Sequence, residues 1–501
     1  MLSRSEVLSQ LSKFPQFDDA ALALHYAPRM PKAMVAETRE VVALARKFRE
    51  EVVEPLALKL DRQTHEDPDF MSMELVKKGC EWGLYSMWVP RIFGGKGYNM
   101  PSLSYFAEEV GSACLGITNV MGVHYLGIGG LLMAGNVRVV KKIMNEVVEG
   151  EKNGKPCILA LAITEPTAGT DVEEIELAEK GKITCHARKV KGGYVVNGTK
   201  IFISMGHLST WTVLYAYTDL KRASETMVTM MVKQGMPGFT MGGHENKMGQ
   251  RICPASVLNF EDCFIPDDLV IYEPEDVKSF TRQPVRDITM RYIDYVVSLT
   301  RPAVGAFGTA AARGAFEAAV KYASETELEG KLMINYEWVQ CLLAEMDKNV
   351  RLSRLAYVDA NTANSHRGLY NILQMKPIYY YLKYVPQQII DTVISPLLDK
   401  GIASWLLRKW YLDWQKPKDQ HCCTGLSSLA KFCGTDFGIR NCQIALELMG
   451  QDGLRQSAGA EKILRDAKLL QIYEGTNQLN RLNLFKSLIA PSFTQARVFE
   501  D

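Results

Sequence analysis

The chain has 501 residues, 47% hydrophobic and 23% charged, enough to build two or three packed domains with large cores. Its 58 Lys and Arg against 57 Asp and Glu leave a net charge of +1, which speaks against a nucleic-acid binder or a polybasic membrane reader. The 11 Cys, an odd number with no CxxC pair, fit reduced core thiols better than a disulfide framework, and a cytoplasmic location is expected.

Met1 to Gln10 carries charge on both sides of a few apolar residues, which is not the pattern of a secretory signal, and Glu6 with Asp18-Asp19 argues against a transit peptide. Residues 1–155 read as helical. Over 35–59, Val41, Val42, Leu44, Ala45, Phe48 and Val52 recur at helical spacing, and Pro55 is expected to end or kink that helix. A second helix at 74–85 leads into a Gly-rich loop at 89–97, which lacks the GxGxxG or Walker pattern and so does not read as a phosphate cradle. Residues 101–110 and 112–136 make two more helices. The latter has no charged residue and is long enough to cross a bilayer, but its Thr118, Asn119, His124 and glycines favour a helix buried in a large core.

At about residue 156 the hydrophobic period changes. Residues 158–163 read as a buried strand ending in Thr164-Glu165-Pro166, 183–190 as a second, and Gly192-Gly193 as a turn. Asn197-Gly198, between 194–196 and 200–204, is the strongest short hairpin signal in the chain. Strands at 211–217, 226–232 and 255–260 complete an antiparallel β domain spanning 156–272. Helices return at 292–320, 336–365, 427–449 and 461–472. The expected fold class is therefore α+β: an N-terminal helical domain over 1–155, the β domain, and a C-terminal helical domain over 273–501.

Two stretches carry candidate chemistry. Thr164 to Asp171 places a hydroxyl at each end of a turn that contains a Gly, suited to a flat polar ring or a pyrophosphate, or simply to joining two strands. At the other end of the chain, Leu469-Leu470-Gln471-Ile472-Tyr473-Glu474-Gly475-Thr476 follows an amphipathic helix. Glu474 there is either a solvated residue at a helix end or a carboxylate pushed into a dry cavity, where desolvation strengthens it as a base.

Taken in order, Ala162-Ile163-Thr164-Glu165-Pro166, Gly169-Thr170-Asp171, Val196-Asn197-Gly198-Thr199-Lys200, Phe202-Ile203-Ser204, Met248-Gly249-Gln250-Arg251, Thr300-Arg301-Pro302, Arg465-Asp466-Ala467-Lys468 and Ile472-Tyr473-Glu474-Gly475-Thr476 resemble the acyl-CoA dehydrogenase family over roughly residues 35–490. The resemblance implies helices around a middle β domain, FAD as cofactor, and formation of a C2–C3 double bond in an acyl-CoA. It implies Glu474 as the base that takes the α-proton, with hydride passing to flavin N5. Some branches place the base one residue before the matched Arg; Thr300 stands there and cannot serve.

The resemblance places Leu161, Ile163, Thr164, Gly169, Thr170, Phe202, Ile203 and Ser204 around the flavin ring and pyrophosphate. Gly450, Thr476 and Gln478 fall to the FAD of the same or a neighbouring subunit, and Thr170, Arg301 and Gly475 to the acyl-CoA. No metal is implied; His421-Cys422-Cys423 with Cys433 and Cys442 lacks paired ligand spacing. An electron-transfer flavoprotein as acceptor and a homotetramer or homodimer follow from the resemblance alone. Gly122 is expected to leave a roomy pocket floor.

The chain departs from the family pattern at Ser298, where an Asp is usual, and at Thr326-Glu327-Leu328-Glu329-Gly330, where an Arg-containing segment is usual. Glu337 and Glu447 stand where amides are common. The segment 366–419 is extra, with an apolar and aromatic stripe expected to serve subunit packing outside the flavin site. A partner surface or a membrane-surface helix near Arg408 and Lys409 are the alternatives. A non-enzymatic thioester-binding or assembly protein of the same fold, holding flavin weakly, is the rival to an enzyme.

Overall fold

The computed structural model describes residues 29–500 apart from 369 and 494, so the N-terminal reading over residues 1–19 lies outside the described residues. A layer of helices (Lys32–Phe48, Glu54–Glu66, Met73–Glu81, Pro101–Gly111, Leu115–Met133 and Val137–Lys152) precedes an eight-stranded sheet, and long helices follow it. Pro55 neither ends nor sharply breaks its helix. A π turn at Arg49–Val53 comes just before it, and the backbone stays helical from there into Glu54–Glu66, whose second residue it is. Leu115–Met133 is the one helix among the described residues long and apolar enough to cross a bilayer, and most of it is buried within the protein.

The strands are β1 (Leu159–Ala162), β2 (His186–Val190), β3 (Gly193–Ser204), β4 (Trp211–Tyr217), β5 (Met227–Lys233), β6 (Phe239–His244), β7 (Ala255–Pro266) and β8 (Val270–Tyr272). The order β6-β7-β3-β2-β4-β5-β8 is antiparallel throughout except for one parallel bridge between β2 and β4, and β1 also pairs with β4 in parallel. Asn197-Gly198 is not a hairpin turn. β3 runs straight through it, and the β2–β3 turn is at Lys191-Gly192, since Val190 pairs with Gly193. Asn197 instead exchanges hydrogen bonds with Asp262 (2.9 and 3.1 Å) across a bulge, and Gly198 lies so close to Cys185 that a Cβ would meet its Cα at 2.7 Å.

Two long helices, Val285–Glu325 and Pro417–Gly453, form the spine of the C-terminal half, with Glu337–His366 beside them. They touch through glycines: a Cβ on Gly308 would overlap the Gly434 backbone, and one on Gly305 would meet the Ala430 carbonyl at 2.6 Å. Pro302 lies inside the first of these helices and cannot donate to the carbonyl of Ser298, one turn back. That carbonyl accepts from Asn364 Nδ2 and Ser427 Oγ, both at 3.0 Å, so the proline costs the core no unsatisfied group.

The segment 366–419 folds as short helices, among them Lys376–Tyr384 and Gly401–Arg408, laid on the N-terminal helical layer of the same chain. Arg91 donates to the carbonyls of Leu382, Lys383 and Val385 (2.6–2.9 Å) and so caps Lys376–Tyr384. Lys141 pairs with Asp399 at 2.7 Å, and Tyr411 donates to the Met133 carbonyl at 2.7 Å. Arg408 is buried and paired with Asp276 at 2.9 Å, and Lys409 pairs with Asp413, so the two cations of the membrane-surface alternative are engaged inside the subunit.

Candidate active site

The sequence stretches singled out above are brought together by the core rather than by chain proximity. Gly249 is packed where a side chain would overlap the Arg465 carbonyl, and the Gln250 backbone N–H donates to Asp466 Oδ1 at 2.5 Å. Arg465 in turn holds Asp61 of the N-terminal layer at 2.8 Å. The motifs 248–251 and 465–468 thus lock the helix Ala460–Leu470 against both other domains, and this helix delivers the turn that carries Glu474.

The helix stops at Leu470, so Glu474 is not at its end but inside the following turn, with φ +56° and Gly475 at +76°. A left-handed non-glycine residue costs about 1–2 kcal/mol and persists only where its surroundings hold it. Four side chains do so. Arg301 Nε donates to the Glu474 carbonyl at 3.3 Å and Lys431 Nζ to the Gly475 carbonyl at 2.7 Å. Asn480 Nδ2 reaches the carbonyls of Glu474, Gly475 and Thr476 at 2.9–3.2 Å, and Tyr473 lies against Gln250. Thr476 caps the next helix through its hydroxyl, at 3.2 Å from Leu479 N.

This arrangement sets the Glu474 carboxylate on the wall of a largely apolar cavity of about 510 Å³. Burial raises its proton affinity above the ordinary carboxylate range, while the Thr300 hydroxyl, donating at 2.7 Å, pulls the other way and orients it. Thr300, itself unfit to be a base, therefore holds the Glu474 carboxylate in one orientation. Leu161, Ile163, Thr164, Gly169, Thr170, Phe202, Ile203 and Ser204 line the same cavity. Their loop is braced by Lys200, which donates to the Ile163 carbonyl at 2.9 Å and pairs with buried Glu165 at 2.8 Å. Burial acts to raise the Glu165 carboxyl, yet Lys200 and Thr184 together hold it below its usual range.

A flavin suits this wall. Phe202 is 55% exposed although it is a large aromatic held at φ +56°, and nothing lies within 4 Å of the Cβ position at Gly169, leaving backbone open to a flat ring. Other expected contacts are not gathered here. Arg301, Gly450, Gly475, Thr476 and Gln478 do not line the cavity. Arg301 is fully buried behind the base turn, donating to Ser428 Oγ at 3.0 Å, and Gln478 is exposed. Ser298 joins a buried hydroxyl pair with Thr424 at 3.2 Å. The space left by Gly122 is filled by Phe307, whose ring would lie 2.8 Å from a Cβ there, so this glycine admits a neighbour rather than opening the floor.

One carboxylate escaped the sequence reading. Glu173 lines the cavity beside Glu474, with its Oε2 3.8 Å from Arg301 and its side chain 15% exposed. Burial, then the charge of Glu474, raises its proton affinity. Nearby Lys431 is pushed down to about 7 by burial, against the pull of Glu173. Nothing in the sequence separates Glu173 from its neighbour Glu174. The single turn Thr170–Glu173 sends the first toward Glu474 and leaves the second to Lys486 at 2.7 Å.

Comparison with known proteins adds three matches covering most of the chain. They are the acyl-CoA dehydrogenase N-terminal domain over 36–151, middle domain over 160–263, and C-terminal domain over 290–377 and 407–489. The last is interrupted within the extra segment. The chain is 28% identical over 418 residues to cyclohex-1-ene-1-carbonyl-CoA dehydrogenase of Syntrophus aciditrophicus, covering 82% of this chain and 81% of that one. It is 25% identical over 453 residues to the probable acyl-CoA dehydrogenase FadE25 of Mycobacterium tuberculosis, covering 90% and 95%. In fold it is similar to butyryl-CoA dehydrogenase from Megasphaera elsdenii (TM-score 0.68, 20% identity, 90% of this chain and 98% of that one). Glutaryl-coenzyme A dehydrogenase in its glutaryl-CoA complex has a TM-score of 0.67 at 18% identity, over 91% and 94%.

Proposed function

Because this chain belongs to the acyl-CoA dehydrogenase family and has FAD as its cofactor, we propose that it oxidises an acyl-CoA thioester to the 2-enoyl-CoA, with Glu474 as the base. The observation that carries this reading is the Glu474 carboxylate, raised in proton affinity by burial, on the wall of a mostly apolar cavity whose lining also includes the residues suited to a flavin ring.

The α C–H bond of the thioester breaks and its proton passes to a Glu474 oxygen. The β C–H bond breaks with its electron pair leaving as hydride, and C2–C3 becomes a double bond. Bound FAD supplies the hydride acceptor. Thr300 holds the carboxylate so that the base sits in one orientation, and the apolar wall keeps water from competing for the proton. The residues around Thr164, Gly169 and Phe202 would hold the flavin ring, and Gly450, Thr476 and Gln478 its far end. Arg301 and Gly475 serve the substrate indirectly, by fixing the turn from which the base projects. An electron-transfer flavoprotein as acceptor and a homo-oligomeric enzyme complete the reading.

The assembled base and cavity favour an enzyme over a flavin-poor binding protein. Glu474→Gln is expected to keep flavin and fold while slowing flavin bleaching by a good acyl-CoA about 10²–10⁴-fold or more in a stopped-flow experiment. A variant that bleaches at the parental rate removes Glu474 from the chemistry. The named relatives span cyclohexenecarbonyl, butyryl and glutaryl thioesters, so the acyl class has to be read from the cavity itself.

A further inference from the structure

A second cavity, of about 570 Å³, lies between the N-terminal helical layer and the segment 366–419. Three residues, Trp88, Met100 and Leu299, line both cavities. Leu299 immediately precedes Thr300, whose hydroxyl rests on Glu474, so the shared wall begins beside the reacting end. Trp88 is fixed: its indole N–H donates to Ser102 Oγ at 2.8 Å, and its ring meets Phe106 and Tyr125 edge-on at 5.5 and 4.8 Å. Met100 is different. It is an only partly buried, unbranched thioether, whose three torsions let it swing aside at small cost.

The far wall is apolar, with Leu132 and Val140 on one side and Leu373, Leu398, Ala403 and Leu407 of the extra segment on the other. The charged groups that touch the cavity are mostly committed elsewhere. Glu37 accepts from Asn99 Nδ2 (2.8 Å), Tyr379 OH (2.9 Å) and Lys383 Nζ (2.9 Å). Lys96 donates to the Gly83 carbonyl at 2.7 Å, and Arg91 holds the three helix-end carbonyls. Lys383 is thus neutralised by Glu37, Arg91 and Lys96 are tied to backbone carbonyls, and the far wall beyond them offers a substrate's end only apolar side chains.

We propose that the second cavity is the distal part of the acyl site. An extended, uncharged hydrocarbon chain passes Met100 and Leu299 and buries its end beneath the segment 366–419. This rests on the reading of the chain as an acyl-CoA dehydrogenase. It gives the extra segment a role in substrate selection, and Leu398 and Ala403 of the far wall belong to the part of the chain outside the family match. Burial of each further methylene strengthens binding about fourfold.

The test compares hexanoyl-CoA with palmitoyl-CoA on the flavin-loaded enzyme, by stopped-flow bleaching and by calorimetric binding, before and after filling the cavity with Ala403→Trp or Leu407→Trp. The parent should bind palmitoyl-CoA more tightly than hexanoyl-CoA. Each filled variant should lose at least about tenfold in kcat/KM for palmitoyl-CoA while hexanoyl-CoA changes little. Leu373→Trp, on another helix of the segment, replaces either variant if its melting curve shows a folding defect. A parent that uses hexanoyl-CoA but not palmitoyl-CoA overturns the proposal, as do folded variants that treat the two alike. If neither thioester bleaches the flavin, yet the binding difference exists and filling erases it, the cavity assignment stands and the proposed reaction falls.

Discussion

Glu173 and Glu474 sit on one cavity wall with Arg301 and Lys431 behind them, and this grouping governs how the site responds to pH. The Glu173 carboxyl is raised by burial first and by its neighbour second, so the folded chain holds a proton that the unfolded chain has already released. Stability from this group therefore falls as pH rises from the ordinary carboxylate range toward neutrality. Glu173→Gln should flatten that slope, seen as melting temperatures less different between pH 5 and pH 7.5 than in the parent. The acid limb of the pH–rate profile should stay close to its parental position, because Glu173 still holds its proton, and is as neutral as glutamine, while Glu474 releases its own. An acid limb that moves clearly to lower pH would mean that Glu173 is already charged while Glu474 titrates. Glu474 was legible in the sequence because its motif recurs with its neighbours in order. Glu173 was not, because a four-residue turn, invisible to periodicity, decides which of two adjacent acids faces Glu474.

The helices behind the site depend on contacts closer than side chains permit. Gly305 and Gly308 of Val285–Glu325 share a face that meets Gly434 of Pro417–Gly453, and the same helix pair carries Arg301, Ser428 and Lys431. Gly308→Val should push the pair apart at a cost of about 1–3 kcal/mol. It should also slow flavin reduction, since Arg301 and Lys431 would no longer grip the turn together. Calorimetric melting and stopped-flow bleaching read the two effects, and an unchanged melting temperature would mean that the contact relaxes freely. Helix existence was readable from apolar spacing along the chain, and the change of period near residue 156 announced the sheet. Local turn chemistry misled in two places. Asn197-Gly198 has the composition of a hairpin, but β2 and β7 flank β3 on both sides and tertiary pairing overrides it. Pro55 reads as ending or kinking its helix, but the backbone stays helical past it by way of a π turn. The second cavity had no sequence signature, because it exists only where two distant helical layers fail to meet.

On the scale of the whole molecule, the residues expected at the two ends of a bound FAD are placed differently. The ring-side residues converge on one cavity within one chain, whereas Gly450, Thr476 and Gln478 lie away from its lining, as a site completed by another subunit would require. The segment from Thr326, where the resemblance leads one to expect an Arg directed at the cofactor's pyrophosphate, is a small exposed hairpin, Glu327–Leu328 paired with Lys331–Leu332, turning at Glu329-Gly330 with φ +52° and +78°. Glu337 and Glu447 are exposed as well. A guanidinium facing a pyrophosphate makes charge-assisted bonds, while a carboxylate in its place repels. Losing such a contact costs about 1.5–3 kcal/mol, or one to two decades in affinity. The ring-side contacts are therefore expected to dominate binding, and the apoprotein should favour FAD over FMN by a narrow margin. Glu327→Arg should widen that margin by strengthening FAD binding alone, and sedimentation at falling protein concentration should show FAD release accompanying subunit dissociation. Strong FAD selectivity that neither Glu327→Ala nor Glu447→Gln changes would mean that these carboxylates turn away from the cofactor and that other basic groups hold its far end.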